Sequence, residues 1–107
     1  MKEFEQKWLI KLETIIEKNL SEPTFYLTDL VTQLSVSSST LNRKIKELTQ
    51  LTPKAYIRDK RLKRAKELLE SGIYSSVAEV ALAVGFQHVN HFSILYEKKY
   101  GIKPSRY

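Results

Sequence analysis

Apolar residues recur every three or four positions through most of this chain, a spacing that predicts amphipathic helices rather than strands. Phe4, Trp8, Leu12, Ile15, Ile16 and Leu20 form the first stripe, and Ser21-Glu22-Pro23 breaks it. Thr28 then offers a cap to a short helix carrying Leu30, Val31 and Leu34, and Ser35-Val36-Ser37 makes a tight connection. Ser37 can cap a further helix from about Ser38 to Thr49, with Leu41, Ile45 and Leu48 turned inward. Thr52 and Pro53 open a longer helix as cap and first helical residue, and Gly72 closes it where a left-handed cap would sit. Beyond it, residues 75–84 predict a short helix, Gly85-Phe86 a turn, and about His88 to Tyr100 a last helix.

The chain repeats itself. From Leu41 onward the offset is 51 residues, so Leu41 falls on Phe92, Ile45 on Tyr96, Pro53 on Pro104 and Tyr56 on Tyr107. Upstream it is 50, placing Leu30 on Val80, Val31 on Ala81 and Leu34 on Val84, so the second turn is one residue longer. The pattern predicts an all-α fold: two helix-turn-helix subdomains joined by a long linker helix. Its divisions are a packing helix and connection over 1–26, a first unit over 27–51, the linker over 52–72 and a second unit over 73–107. Phe86, Phe92 and Tyr96 sit where they would close a small core, and Tyr56 and Tyr107 follow their prolines in a way that packs each against the preceding unit.

Charge adds a direction to this picture. Residues 1–37 carry four basic and six acidic side chains, 38–66 ten and two, and 67–107 four and four, giving −2, +8 and 0. So basic a middle third suits a polyanion such as DNA, while docking to an acidic protein partner is the competing reading. An enzyme is a distant third, because no paired carboxylates, nucleophile and base, or glycine-rich phosphate loop occur at usable spacing. The absence of cysteine excludes disulfides and thiolate metal sites, and His88 and His91 alone cannot complete a tetrahedral set, so neither metal nor cofactor is expected. No window approaches 18 apolar residues and the N-terminus lacks a signal-peptide core, which predicts a cytoplasmic segment without membrane contact.

Val80-Ala81-Leu82-Ala83-Val84-Gly85-Phe86, then His91-Phe92-Ser93 and Tyr96-Glu97-Lys98-Lys99-Tyr100-Gly101-Ile102-Lys103-Pro104-Ser105-Arg106-Tyr107, resemble the C-terminal signature of the AraC/XylS family of bacterial transcription regulators. Ser37 through Lys46, Tyr56-Ile57, Arg61-Leu62 and Ala65 through Leu69 match its other blocks, and the likeness runs from about Leu27 to Tyr107. The wording from Leu41 to Thr49 is most similar to versions attached to hybrid two-component sensors. The resemblance implies about seven helices in homeodomain-like units, each placing its second helix in a major groove of double-stranded DNA. It also implies a preceding receiver or effector domain, of which this chain would be the output end, and contact with RNA polymerase is a further possibility. Four positions depart from the family pattern: Ser35 and Gln50 replace usual glycines, Val31 a usual alanine and Ile94 a usual arginine.

A recognition helix reads bases from near its N-terminus, on the face opposite Leu41 and Ile45. That selects Ser39, Asn42 and Arg43, with Ser38 and Thr40 beside them and Lys46 placed for phosphate. Arg43 suits guanine and Asn42 adenine, though Arg43 can instead pair with Glu47 one turn on. In the second unit the matching positions are Val89, Asn90, His91, Ser93 and Ile94, where Val89 or Ile94 could touch a thymine methyl. On the linker, Lys60, Lys63 and Lys66 are expected on the outer face, while Arg61 is expected to bond a carboxylate or a helix end within the fold.

Overall fold

The computed structural model describes residues 3–25 and 27–106, apart from the side chain of Arg106. Six α-helices follow one another: α1 (Glu3–Asn19), α2 (Leu27–Leu34), α3 (Ser38–Thr49), α4 (Pro53–Ser71), α5 (Val77–Ala83) and α6 (Val89–Tyr100). A 3₁₀ turn at Pro104–Arg106 follows them, and the described residues include no strand. None of the described helices is long and apolar enough to cross a membrane.

Local chemistry sets most of these boundaries. Ser37, Thr52 and Ser76 each accept a hydrogen bond from the backbone amide three residues on, at 3.1, 3.2 and 3.1 Å, and so satisfy one free donor of α3, α4 and α5. Pro53 occupies the start of α4 and Gly72 ends it at φ 71°. Thr28 does not cap α2, which already includes it; the preceding residue, Tyr26, lies outside the described residues. The left-handed region is entered at equivalent places in the two halves: Ser35 and Gly85 in the turns, Gln50 and Gly101 after the second helices. At Ser35 (φ 55°) and Gln50 (φ 65°) a side chain takes a conformation that costs about 1–2 kcal/mol where glycine would be unstrained.

Two cores form, and α4 belongs to both. Leu12, Ile16 and Leu20 of α1 and its end meet Leu30, Leu34, Leu41 and Ile45, and Tyr56 and Ile57 from the start of α4 complete that cluster. One turn later Leu62 and Ala65 join Val80, Ala81, Val84, Phe86, Phe92 and Tyr96. The Phe86, Phe92 and Tyr96 rings pack in series, tilted to one another, at 5.1 and 5.7 Å between centroids. Tyr56 is buried against the first unit, as its position after Pro53 predicts; its counterpart Tyr107 lies outside the described residues. Phe4 departs from expectation. It is 69% exposed, and its ring and that of Trp8 instead carry the Lys44 ammonium, at 5.0 and 4.9 Å.

The second turn is longer than repeat spacing alone implies. Three residues separate α2 from α3 and five separate α5 from α6, because α5 releases its chain one residue early at Val84, which stays fully buried as the C-cap. That early release brings Gly85 against the first unit. A side chain there would meet the Leu20 carbonyl oxygen at 2.2 Å and the Arg61 guanidinium at 3.0 Å. Arg61 donates from Nη2 to the Glu22 carbonyl at 2.9 Å, just past the end of α1, so the expected helix-end contact is present. Further pairs tie α4 to its neighbours: Lys60 to Glu13 of α1 at 2.5 Å, and Lys99 of α6 to Asp59. Lys60 therefore turns inward, contrary to the expected outer position, because Glu13 and the Tyr56 ring offer its ammonium partners that solvent would otherwise supply.

Two predictions follow from this packing. Gly85→Ala is expected to lower the free energy of unfolding by about 2–3 kcal/mol through backbone strain and the clash at Leu20, read by urea denaturation. The second concerns alkaline pH. Burial pulls the Lys60 ammonium down, but the Glu13 hydrogen bond and Tyr56 outweigh it and leave Lys60 above its ordinary 10.5. Burial holds the Tyr56 phenol above its ordinary 10.0, with Lys60 acting in the opposite sense. Both groups bind their protons more tightly folded than unfolded, so their contribution is complete below about pH 10 and is lost as pH rises through the folded values. Unfolding free energy should fall with pH above that point, and fall less steeply in Lys60→Met.

Candidate nucleic-acid interface

The second helix of each unit presents one exposed stripe. On α3 it runs through Ser39, Arg43 and Lys46, spaced four and three residues apart and opposite the buried Leu41 and Ile45. Asn42 and Ser38 are exposed beside it. Asn42, Lys46 and Arg43 are each held locally. Asn42 donates from Nδ2 to the Ser38 carbonyl at 2.9 Å, Lys46 reaches the Gln50 carbonyl at 3.3 Å, and Arg43 meets Glu47 at 3.4 Å. The Arg43–Glu47 pair is the alternative that its spacing allowed. Both partners are more than half exposed, and an exposed helical pair of this kind contributes only about 0.3–0.5 kcal/mol, so the Arg43 guanidinium is easily drawn to another acceptor. Thr40 is different: it is half-buried, and its hydroxyl accepts from Ser37 at 3.0 Å within the capping arrangement.

On α6 the equivalent stripe is Asn90, Ile94 and Glu97, with Ile94 67% exposed. The other selected residues are divided between solvent and core. Val89 is half-buried against the second core, Ser93 is half-buried, and the exposed His91 sets its ring edge on Phe86 at 6.4 Å.

A cleft of about 690 Å³ lies between the two units, and Asn42 of α3 and His91 of α6 both border it. Lys54 and Arg58 on the first turns of α4 line its floor, with Gln87 and His88 ahead of α6. Lys54, Arg58 and Gln87 lie outside the two predicted reading helices and His88 at the very start of the second, so the helix-face argument selects none of them. The available signal was position: Lys54 and Arg58 are four apart in a helix that begins beside α3, so they share a face. By contrast, much of the basic segment is engaged elsewhere. Lys44 lies over Phe4 and Trp8, Lys60 on Glu13, Arg61 on the Glu22 carbonyl, Arg64 on Glu67 at 2.9 Å and Lys66 on Glu70 at 3.3 Å. Among the described residues there is no group of three or more side chains that could hold a metal ion.

Residues 30–107 match the sequence profile of a family described as a helix-turn-helix domain. The chain belongs to the AraC/XylS family of transcription regulators. Its fold and family are those of DNA-binding regulators rather than enzymes. An AraC-type transcriptional regulator from Chromobacterium violaceum is similar in structure, with a TM-score of 0.84 and 31% identity over 94% of this chain and 88% of that one. The DNA-binding domain of AdpA, crystallised with a target DNA, is similar at a TM-score of 0.81 and 27% identity, covering 91% of this chain and 86% of that one. In sequence the chain is similar to histidine kinase P4 of Formosa agariphila, 35% identical over 96% of its own length. It spans only 7% of that protein.

The split between packing and display on α6 is testable. Val89→Ala should lower the unfolding free energy by about 1–2 kcal/mol in chemical denaturation, because the removed methyls pack on the second core.

Proposed function

We propose that this domain binds double-stranded DNA sequence-specifically as part of a bacterial transcription regulator, reading two successive major grooves with α3 and α6. The observation that carries the reading is the recurrence of an exposed stripe at equivalent positions of the second helix in each unit, Ser39–Arg43–Lys46 on α3 and Asn90–Ile94–Glu97 on α6, beside a cleft that Asn42, His91, Lys54 and Arg58 line. Successive major grooves on one face of B-DNA lie about 34 Å apart. The 19-residue α4 is about 28 Å long and is packed into both units, so it is suited to hold two reading helices at such a separation. Similarity to a domain crystallised on its target DNA supports the same reading.

In this reading Arg43 and Asn42 recognise bases, Ser38, Ser39 and Thr40 flank them, and Lys46 takes a phosphate. On α6, Asn90 and Ile94 face the bases, with Val89, His91 and Ser93 positioning the helix or meeting the backbone. Lys54 and Arg58 lie where phosphates bordering the intervening minor groove would pass. The divisions at 1–26, 27–51, 52–72 and 73–107 then describe a support, a reader, a spacer and a second reader. Similarity to a short segment of a histidine kinase supports a role as the output module of a two-component protein acting in the cytoplasm, downstream of a receiver or effector domain. Contact with RNA polymerase would complete that role.

A mobility-shift titration against salt tests the assignment. Arg43→Ala should weaken binding to a selected site by about 1–3 kcal/mol and relax preference at one base pair. Lys54→Gln with Arg58→Gln should weaken all duplexes alike and reduce the slope of log affinity against log salt by about 2. Binding indifferent to salt and to Arg43 would point instead to an acidic protein partner.

A further inference from the structure

The two exposed stripes are equivalent in position but not in chemistry. Offset by 51 residues, Arg43 corresponds to Ile94, Lys46 to Glu97 and Glu47 to Lys98. The correspondence is structural as well as numerical. Both helices have 12 residues and end on left-handed caps, and the cap amide bonds the carbonyl of Lys46 in one and of Glu97 in the other. Glu97 therefore stands on α6 where a cation stands on α3, and among the described residues no ion pair or hydrogen bond engages its carboxylate.

A carboxylate facing DNA is repelled by phosphates, so Glu97 cannot take the phosphate that Lys46 takes on α3, and a base-edge donor is the partner left to this position on α6. Two base-edge amino groups donate in the major groove, those of cytosine and adenine, and adenine sets its N7 acceptor beside the donor, where it repels a carboxylate; the cytosine amino group is therefore the better partner. One turn nearer the start of α6, the exposed Ile94 can offer only apolar contact, and the thymine methyl is the apolar feature of that groove. Lys98, the counterpart of Glu47, returns a cation to the flank about 100° round the helix from Glu97, where a phosphate can hold α6 without involving Glu97.

Resting on the DNA-binding reading above, we infer that Glu97 is a specificity-determining residue of the second unit, selecting a cytosine amino group beside a thymine that Ile94 contacts. The two halves then read by opposite means. Arg43 and Lys46 combine base recognition with general attraction, whereas α6 discriminates through one apolar contact and one acceptor that guanine and thymine, which present only acceptors in the major groove, leave unpaired.

The test is selection of bound duplexes from a random pool by the intact chain and by Glu97→Gln, Glu97→Lys and Ile94→Ala, followed by affinity measurements on the selected sites. The intact chain should select two blocks about one helical turn apart, the second containing cytosine and thymine. Glu97→Gln should keep the first block and lose about tenfold in its preference for cytosine over other bases in the second. Glu97→Lys should bind all sequences more tightly, with a salt slope steeper by about one, while ignoring that cytosine. Ile94→Ala should lose the thymine, and replacing that thymine by uracil should weaken the intact chain similarly. A second block that lacks cytosine, or one that Glu97→Gln selects unchanged, overturns the inference while leaving an Arg43-dependent first block intact. Failure of the intact chain to select either block overturns the DNA reading and this inference together.

Discussion

The rest of the structure depends on one helix serving two cores. Neither unit closes its core without α4: the first closes over Tyr56 and Ile57, the second over Leu62 and Ala65, and all four residues belong to α4. Twisting one unit about α4 would have to pull core side chains out of the other. The joint is tightened where the Gly85 turn abuts the Leu20 carbonyl and Arg61 holds the Glu22 carbonyl. The linker is thus a strut because it is buried at both ends, and its helical stiffness is only part of the reason.

That architecture consumes charge. Of the basic residues between Arg43 and Lys66, several are drawn onto aromatic faces, carbonyls and acidic neighbours, because an ammonium or guanidinium at the seam of packed helices needs a partner there. What lines the cleft between the reading helices is a smaller set, Lys54, Arg58 and Arg61, and Arg61 is already committed to the Glu22 carbonyl. The net charge of the segment overstates its attractive surface.

The halves have also diverged in how they meet the same backbone demands. Both turn and both cap positions enter the left-handed region, yet the first unit uses Ser35 and Gln50 where the second uses Gly85 and Gly101. At Gly101 and Gly72 nothing crowds the missing side chain, so backbone conformation alone accounts for glycine there. At Gly85 the neighbouring unit leaves no room, so that position could not have followed Ser35.

Helix positions, the caps of α3, α4 and α5, the repeat and the buried stripe of most helices were legible in the sequence, because each depends on residues three or four apart or on one residue's hydrogen bonding to its own helix; the Thr28 cap was not. Thr52, Pro53 and Gly72 mark α4 almost to the residue, and Leu41 and Ile45 identify the exposed face of α3 by exclusion. The interiors of Lys60 and Lys44, the exposure of Phe4 and the place of Lys54 and Arg58 between the reading helices were not legible. Periodicity says which side of a helix is apolar, but a cation at the margin of that side turns inward or outward according to what another segment brings to it. Glu13, 47 residues before Lys60, decides one case, and the docking of the Gly85 turn on the end of α1 decides where the second reading helix begins. The sequence by itself determined the helices and their inward faces; tertiary packing decided which charges remain for a partner, because only packing brings distant segments within reach of one another.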